Sequence, residues 1–182
     1  MMLALSPHPD TPCGAVREIT VRVTRRGQSL SLVYAVAGAV GDIAFPTWRK
    51  ASRADELWRH TCFEAFVGPA VGGAGYAEIN LSPSNQWAVY AFERYRQGMT
   101  SPDGVERRDV AIDAGDDRFT LAATVDLDRL STPGRGPWAL GLSAVIELKD
   151  GSKSYWALAH PPGPPDFHHP DAFAAILPPE SP

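Results

Sequence analysis

Cysteine is scarce in this chain: Cys13 and Cys62 are the two present in 182 residues, too few for a disulfide framework. Stability must therefore come from a buried core, in which Cys62, set in an apolar strand pattern, reads as a small hydrophobe. Runs of positive charge are also missing. The formal net charge is −4, and the basic residues cluster no further than the pairs Arg25-Arg26, Arg49-Lys50 and Arg107-Arg108, so the electrostatic footprint of a nucleic-acid binder is absent. No nucleic-acid partner is expected. No window approaches the ~18 uninterrupted apolar residues that span a bilayer, and no membrane partner is expected either. The segment from Met1 to Gly14 carries three prolines and lacks both a basic start and a sustained apolar stretch. It reads as a loosely ordered arm over 1–14 and not as a signal peptide, so the expected location is cytoplasmic.

Several chemical signatures are lacking too. His-Glu-x-x-His, Cys-x-x-Cys and EF-hand spacings do not occur, and no metal site is expected. The run Gly141-Leu142-Ser143-Ala144-Val145 lacks the second glycine of a nucleophile elbow. The glycines of Gly72-Gly73-Ala74-Gly75 precede a strand pattern and not a helix, so they offer no helix N-terminus to a phosphate.

What is present is β-patterning. Hydrophobic residues make up 44% and charged residues 21%, ordinary globular usage, and the length suits one domain over 1–182. Alternating or β-branched runs bounded by Gly, Pro, Asp or Asn predict strands at Arg17–Arg25, Leu30–Ala37, Thr61–Val67, Tyr76–Leu81, Gln86–Phe92, Asp109–Asp113, Phe119–Asp126, Trp138–Leu148, Ser154–Leu158 and Ala172–Leu177. The fold class expected is all-β, an antiparallel β-sandwich of about ten strands with little helix. Arg26-Gly27-Gln28 and Lys149-Asp150-Gly151-Ser152 supply hairpin turns. Ser52 with Asp55 resembles a helix capping box, predicting one short helix over Ser52–Arg59. The five prolines between His160 and Pro170 exclude both a central strand and a helix interior. That stretch must be a stiff loop, read as packed on the body.

Side-chain alternation places His60, Cys62, Glu64 and Phe66 on one face of their strand. Tyr76, Glu78 and Asn80 share a face of the next, and a hairpin across Gly68–Gly75 would merge the two polar sets. Two readings stay open. This is the solvated face of a sheet, or it is a recognition surface flanked by Trp48, Trp58, Tyr76, Trp87 and Tyr90, whose rings can stack on a flat ligand. Trp138 and Trp156 read as core. His60 and Glu64, four apart on a strand, stand about 13 Å apart and cannot share an ion. His160, His168 and His169 flank the proline-rich loop, either as structural hydrogen-bonding histidines or as parts of a lid over the sheet.

The segments 55–66, 76–84, 155–161 and 166–173 together resemble bacterial DOMON-like proteins, related to the type 9 carbohydrate-binding modules. The resemblance covers most of the chain. It implies a β-sandwich of about ten strands in a superfamily that binds sugars or haem. Trp58 or Trp48, with Glu64, Glu78 and Asn80, would be the sugar-binding set, and Met99 the one credible internal methionine for haem. The expected function is therefore non-catalytic binding of a small, carbohydrate-type ligand on one sheet face. The candidate residues are Trp48, Trp58, His60, Glu64, Glu78, Asn80, Trp87, His160, His168 and His169. A haem or other cofactor protein is one alternative, although no cofactor is expected; an enzyme using the carboxylates Glu64 and Glu78 is the other.

Overall fold

A computed structural model describes residues 1–179; the last three positions of the domain expected over 1–182 lie outside the described residues. Twelve strands form: β1 (Met2–Pro7), β2 (Val16–Arg26), β3 (Ser29–Gly38), β4 (Ser52–Arg53), β5 (Cys62–Pro69), β6 (Tyr76–Leu81), β7 (Gln86–Phe92), β8 (Glu106–Ala114), β9 (Arg118–Asp126), β10 (Trp138–Glu147), β11 (Lys153–Ala157) and β12 (Ala175–Leu177). Period-two burial drives them. In β2, Ile19, Val21 and Val23 are fully buried while Arg22 and Thr24 face water. Gly27 and Gly151 adopt the positive φ that their hairpin turns need.

The strands run β4-β7-β6-β5-β10-β11-β1-β2-β3-β9-β8, with β12 beside β10. Pairing is antiparallel except between β4 and β7. The path is continuous because β1 pairs twice, through Leu5↔Ile19 with β2 and Ser6↔Ala157 with β11. The result is one curled, mixed sheet of half-barrel shape, which the expected antiparallel sandwich fits only approximately. The two halves meet across the core. Phe63 of β5 stacks on Phe119 of β9 with centroids 5.7 Å apart, and Tyr34 of β3 donates its hydroxyl hydrogen bond to the Glu64 carbonyl of β5.

Two local expectations are corrected. Met2–Pro7 is strand β1, not part of a loose arm, because unpaired edges of β2 and β11 both accept it. The helix expected over Ser52–Arg59 does not form. Ser52 and Arg53 pair instead with β7, the Ser52 hydroxyl donates to the Lys50 carbonyl and caps nothing, and Glu56 at φ 59° interrupts the chain. Only one 3₁₀ turn, Leu57–Arg59, remains. Here the ladder offered by β7 outweighs a local capping signal. The Cys62–Pro69 and Tyr76–Leu81 strands do form the hairpin, in the register Glu64↔Asn80 and Phe66↔Glu78.

Candidate functional site

On β5, Phe63, Ala65 and Val67 point into the core, so Cys62, Glu64 and Phe66 must point to the other face. The register sets Glu64 against Asn80 and Phe66 against Glu78 of β6, and Asn80, Glu78 and Tyr76 against Ala88, Tyr90 and Phe92 of β7. This face is not the solvated one. Phe167, His168 and Phe173 from the proline-rich loop and its continuation pack over it, and Glu64 and Glu78 are only 3% and 6% exposed. What remains open is a cleft of about 730 Å³. Its floor holds Glu64, Glu78 and His168, and Trp58, Tyr90 and Tyr155 stand along its walls and mouth.

The floor is built from buried polar groups with few partners. Glu78 Oε1 accepts a 2.7 Å hydrogen bond from Asn80 Nδ2. Glu64 Oε2 receives only a long bond from Ser143 Oγ, 3.4 Å, and Oε1 has no partner. Burial, then the adjacent Glu78 charge, pushes the Glu64 carboxyl well above its usual range, with Ser143 opposing. Burial also raises Glu78, while Asn80 and the Arg96 charge hold it back. Both carboxyls are thus raised, and the pair retains a proton as a coupled unit. The neighbouring Cys62 thiol is pushed up by burial and then by both carboxylates.

His168 lies 3.8 Å from Glu78, measured from Nε2 to Oε2. That approach is not an ion pair near neutral pH. Burial first, then the Arg96 charge, depresses the imidazole to about 4, so it is uncharged. Its tautomer follows from its other neighbour. Tyr76 Oη accepts from the Arg96 amide at 3.1 Å and lies 2.8 Å from His168 Nδ1, an arrangement that suits donation of the tyrosine proton to a ring protonated on Nε2. Arg96 is anchored by Asp166, at 2.8 Å. Tyr95 also donates to Asp166, whose carboxyl these bonds hold low against its partial burial.

The walls combine rings and charge. Trp58 is half-exposed at the mouth, with the Arg59 guanidinium 5.5 Å over its ring, and Met99 is exposed beside the same cleft. Tyr90 donates to Asp55, which Arg53 also pairs, at 2.9 Å. Lys153 reaches the Arg59 carbonyl at 2.6 Å and bridges β11 to the mouth. These groups offer flat apolar contact above and hydrogen-bonding groups below.

Of the ten residues singled out in the sequence, Trp58, Glu64, Glu78 and His168 converge on this cleft, and Asn80 supports it from beneath. The other five do not line it. Trp48 is 61% exposed on the segment between β3 and β4. Trp87 points the other way, against the core, because it is out of phase with Ala88 and Tyr90. His60 pairs with Glu147 at 2.7 Å and lines a shallower depression on the far side of the Asp55–Arg59 wall. His160 bonds the Ser6 carbonyl and meets His8 edge-on, and His169 caps the turn Pro170–Ala172. Tyr90, named in the sequence among the flanking rings, does line the cleft; Arg96, Tyr155 and Lys153 were missed as site residues, because they come from segments that only tertiary structure brings near.

Among the described residues no three His, Cys, Asp or Glu side chains converge to hold a metal ion. Of the histidines among the described residues, His168 alone lines the cleft, and its Nε2 stands 3.8 Å from the Glu78 carboxylate.

Fold and cleft together define an all-β scaffold, one curled mixed sheet with an aromatic-flanked cleft on one face. No family model matches the chain, and no curated protein matches it. Solved structures do resemble it. A Bacteroides uniformis protein provisionally described as carbohydrate-binding superposes with a TM-score of 0.69 at 17% identity, covering 99% of this chain and 86% of that one. A family 9 carbohydrate-binding module from Caldicellulosiruptor kristjanssonii, solved in complex with glucose, gives 0.50 at 11% identity, covering 90% and 76%. At these identities the likeness is one of fold.

Proposed function

We propose that the cleft binds a small, uncharged carbohydrate-type ligand and releases it unchanged. The observation that carries this reading is the meeting of the half-exposed Trp58 ring at the mouth with the sparsely partnered polar floor of Glu64, Glu78 and His168. A sugar has an apolar ring face to stack and hydroxyls to pair such groups. A related fold solved with glucose supports the choice of ligand class. Calorimetry with glucose, xylose and cello-oligosaccharides, beside a glycan array, tests it. Millimolar or tighter binding that falls at least tenfold in Trp58→Ala is expected, and blank traces throughout would sink the proposal.

A second reading, an acid–base enzyme, is favoured by one feature, the two buried, coupled carboxylates, both raised, lining one cleft. Release of nitrophenol from aryl glycosides, abolished in Glu64→Gln, would favour it over simple binding.

A further inference from the structure

We propose that His168 and Glu78 form a donor–acceptor pair that grips a single ligand hydroxyl, and that Tyr76 is the positioning residue that sets the pair. The inference rests on the carbohydrate-type reading of the same cleft and sharpens it, by stating which ligand group the floor selects.

The geometry fits one oxygen. His168 Nε2 and Glu78 Oε2 are 3.8 Å apart, too far to bond each other. An oxygen placed about 2.8 Å from both would subtend an angle near 85° between them, within reach of a hydroxyl that accepts from one and donates to the other. Both side chains line the cleft. Glu78 is fixed by Asn80 through its other oxygen, so Oε2 is the free acceptor.

The donor role of His168 depends on Tyr76. The Arg96 amide occupies the tyrosine oxygen as a donor, and among the described residues His168 Nδ1 is the acceptor within reach of the tyrosine proton. Nδ1 is thereby held as an acceptor, and the ring proton is directed at Glu78. Edge contacts with Phe66 and Phe92, at 5.0 and 5.2 Å between centroids, stop the imidazole from turning over. A hydroxyl satisfies both halves of the pair. An ether oxygen can only accept and an ammonium can only donate, so each leaves one buried group unpaired, the mismatch that sites built around a hydroxyl reject most strongly.

Long-range nitrogen–proton NMR on the full chain at pH 7, with the His168 signals assigned through His168→Gln, reads the tautomer directly. The proton is expected on Nε2, and in Tyr76→Phe the signals should shift toward the other tautomer or a mixture. A proton on Nδ1 in the native protein overturns the proposal. The same spectra are then followed during titration with glucose, xylose, cellobiose and myo-inositol, with glucosamine and O-methylated glucoses as controls. At least one uncharged hydroxyl compound should move the Nε2 signal, and Tyr76→Phe should weaken that compound at least tenfold. If no compound moves the signal up to 100 mM, or saccharides bind with His168 unmoved, the grip is disproved. Saccharide binding with His168 unmoved leaves the carbohydrate reading standing. Inositol moving the signal while no saccharide does would support the grip and remove the carbohydrate reading.

Discussion

Replacing His168 by glutamine, which keeps a donor and an acceptor but cannot titrate, should change how stability responds to acid. The imidazole is 15% exposed and depressed from 6.5 to about 4 in the folded chain. Between those values the unfolded chain binds the extra proton, so this group's contribution is fully present above pH 6.5 and is lost as pH falls toward 4. Integrating that difference from pH 7 to pH 5 gives about 2 kcal/mol. The figure is a ceiling, since a protonated ring would find the Glu78 carboxylate at 3.8 Å. Glu64 and Glu78, raised in the fold, produce the opposite slope above 4.5, so the native protein alone cannot isolate the effect. The measurement is urea unfolding of native and His168→Gln chains at pH 7 and pH 5. With a slope of ~2 kcal/mol per molar urea, the native midpoint should fall relative to the variant's by up to about 1 M on acidification. Parallel midpoint–pH curves would refute the placement of a neutral, buried imidazole.

Glu64→Gln should flatten the decline in stability above pH 4.5 and leave the chain more stable than native at pH 8, measured by the same titration, because a native pKa above the unfolded one disfavours folding as the group ionises. Arg25 lies 3.6 Å over the Trp138 ring and donates to the carbonyls of Gly27, Arg135 and Gly136. Arg25→Ala should cost roughly 2–3 kcal/mol and lower the melting temperature by about 4–12 °C, with Arg25→Lys restoring only part because it lacks the planar fork. The Cys62 thiol, fully buried, should react with a disulfide reagent only at the rate of unfolding, whereas the partly exposed Cys13 reacts at once.

The β-content and the phase of the key strands were legible because burial on two sides of a strand writes itself as period two. Phe63, Ala65 and Val67 against Glu64 and Phe66 could be assigned to opposite faces before any coordinates, and the glycine-rich connection at 68–75 carried the hairpin that brings Glu64 and Glu78 together. Burial of Trp138 and Trp156 was legible for the same reason. Trp87 was misplaced because aromatic character was weighed above phase: it alternates with Tyr90's set and so faces the core. The extent of the cleft was not legible. Arg96 reaches it from a left-handed turn, Lys153 from the start of β11, and the covering of the floor depends on His8 holding the Gly163 carbonyl at 3.0 Å, a contact across 155 residues of chain. Strand β1 escaped notice because one of its two partners, β11, is distant in sequence, while its shortness and the prolines of residues 1–14 suggested an arm.

That strand also bears on how the protein can be handled and how it can fail. Among the described residues, β1 is the seam between β2 and β11. Peeling or clipping away Met2–Pro7 would uncover a backbone edge of β2 and one of β11 in one event, with the buried Ile19 and Trp156 on those strands. Exposed edges of this kind recruit other chains. The first seven residues thus act as a built-in guard against self-association. A proteolytic nick at their end should raise light scattering by the protein while most of the core is still intact.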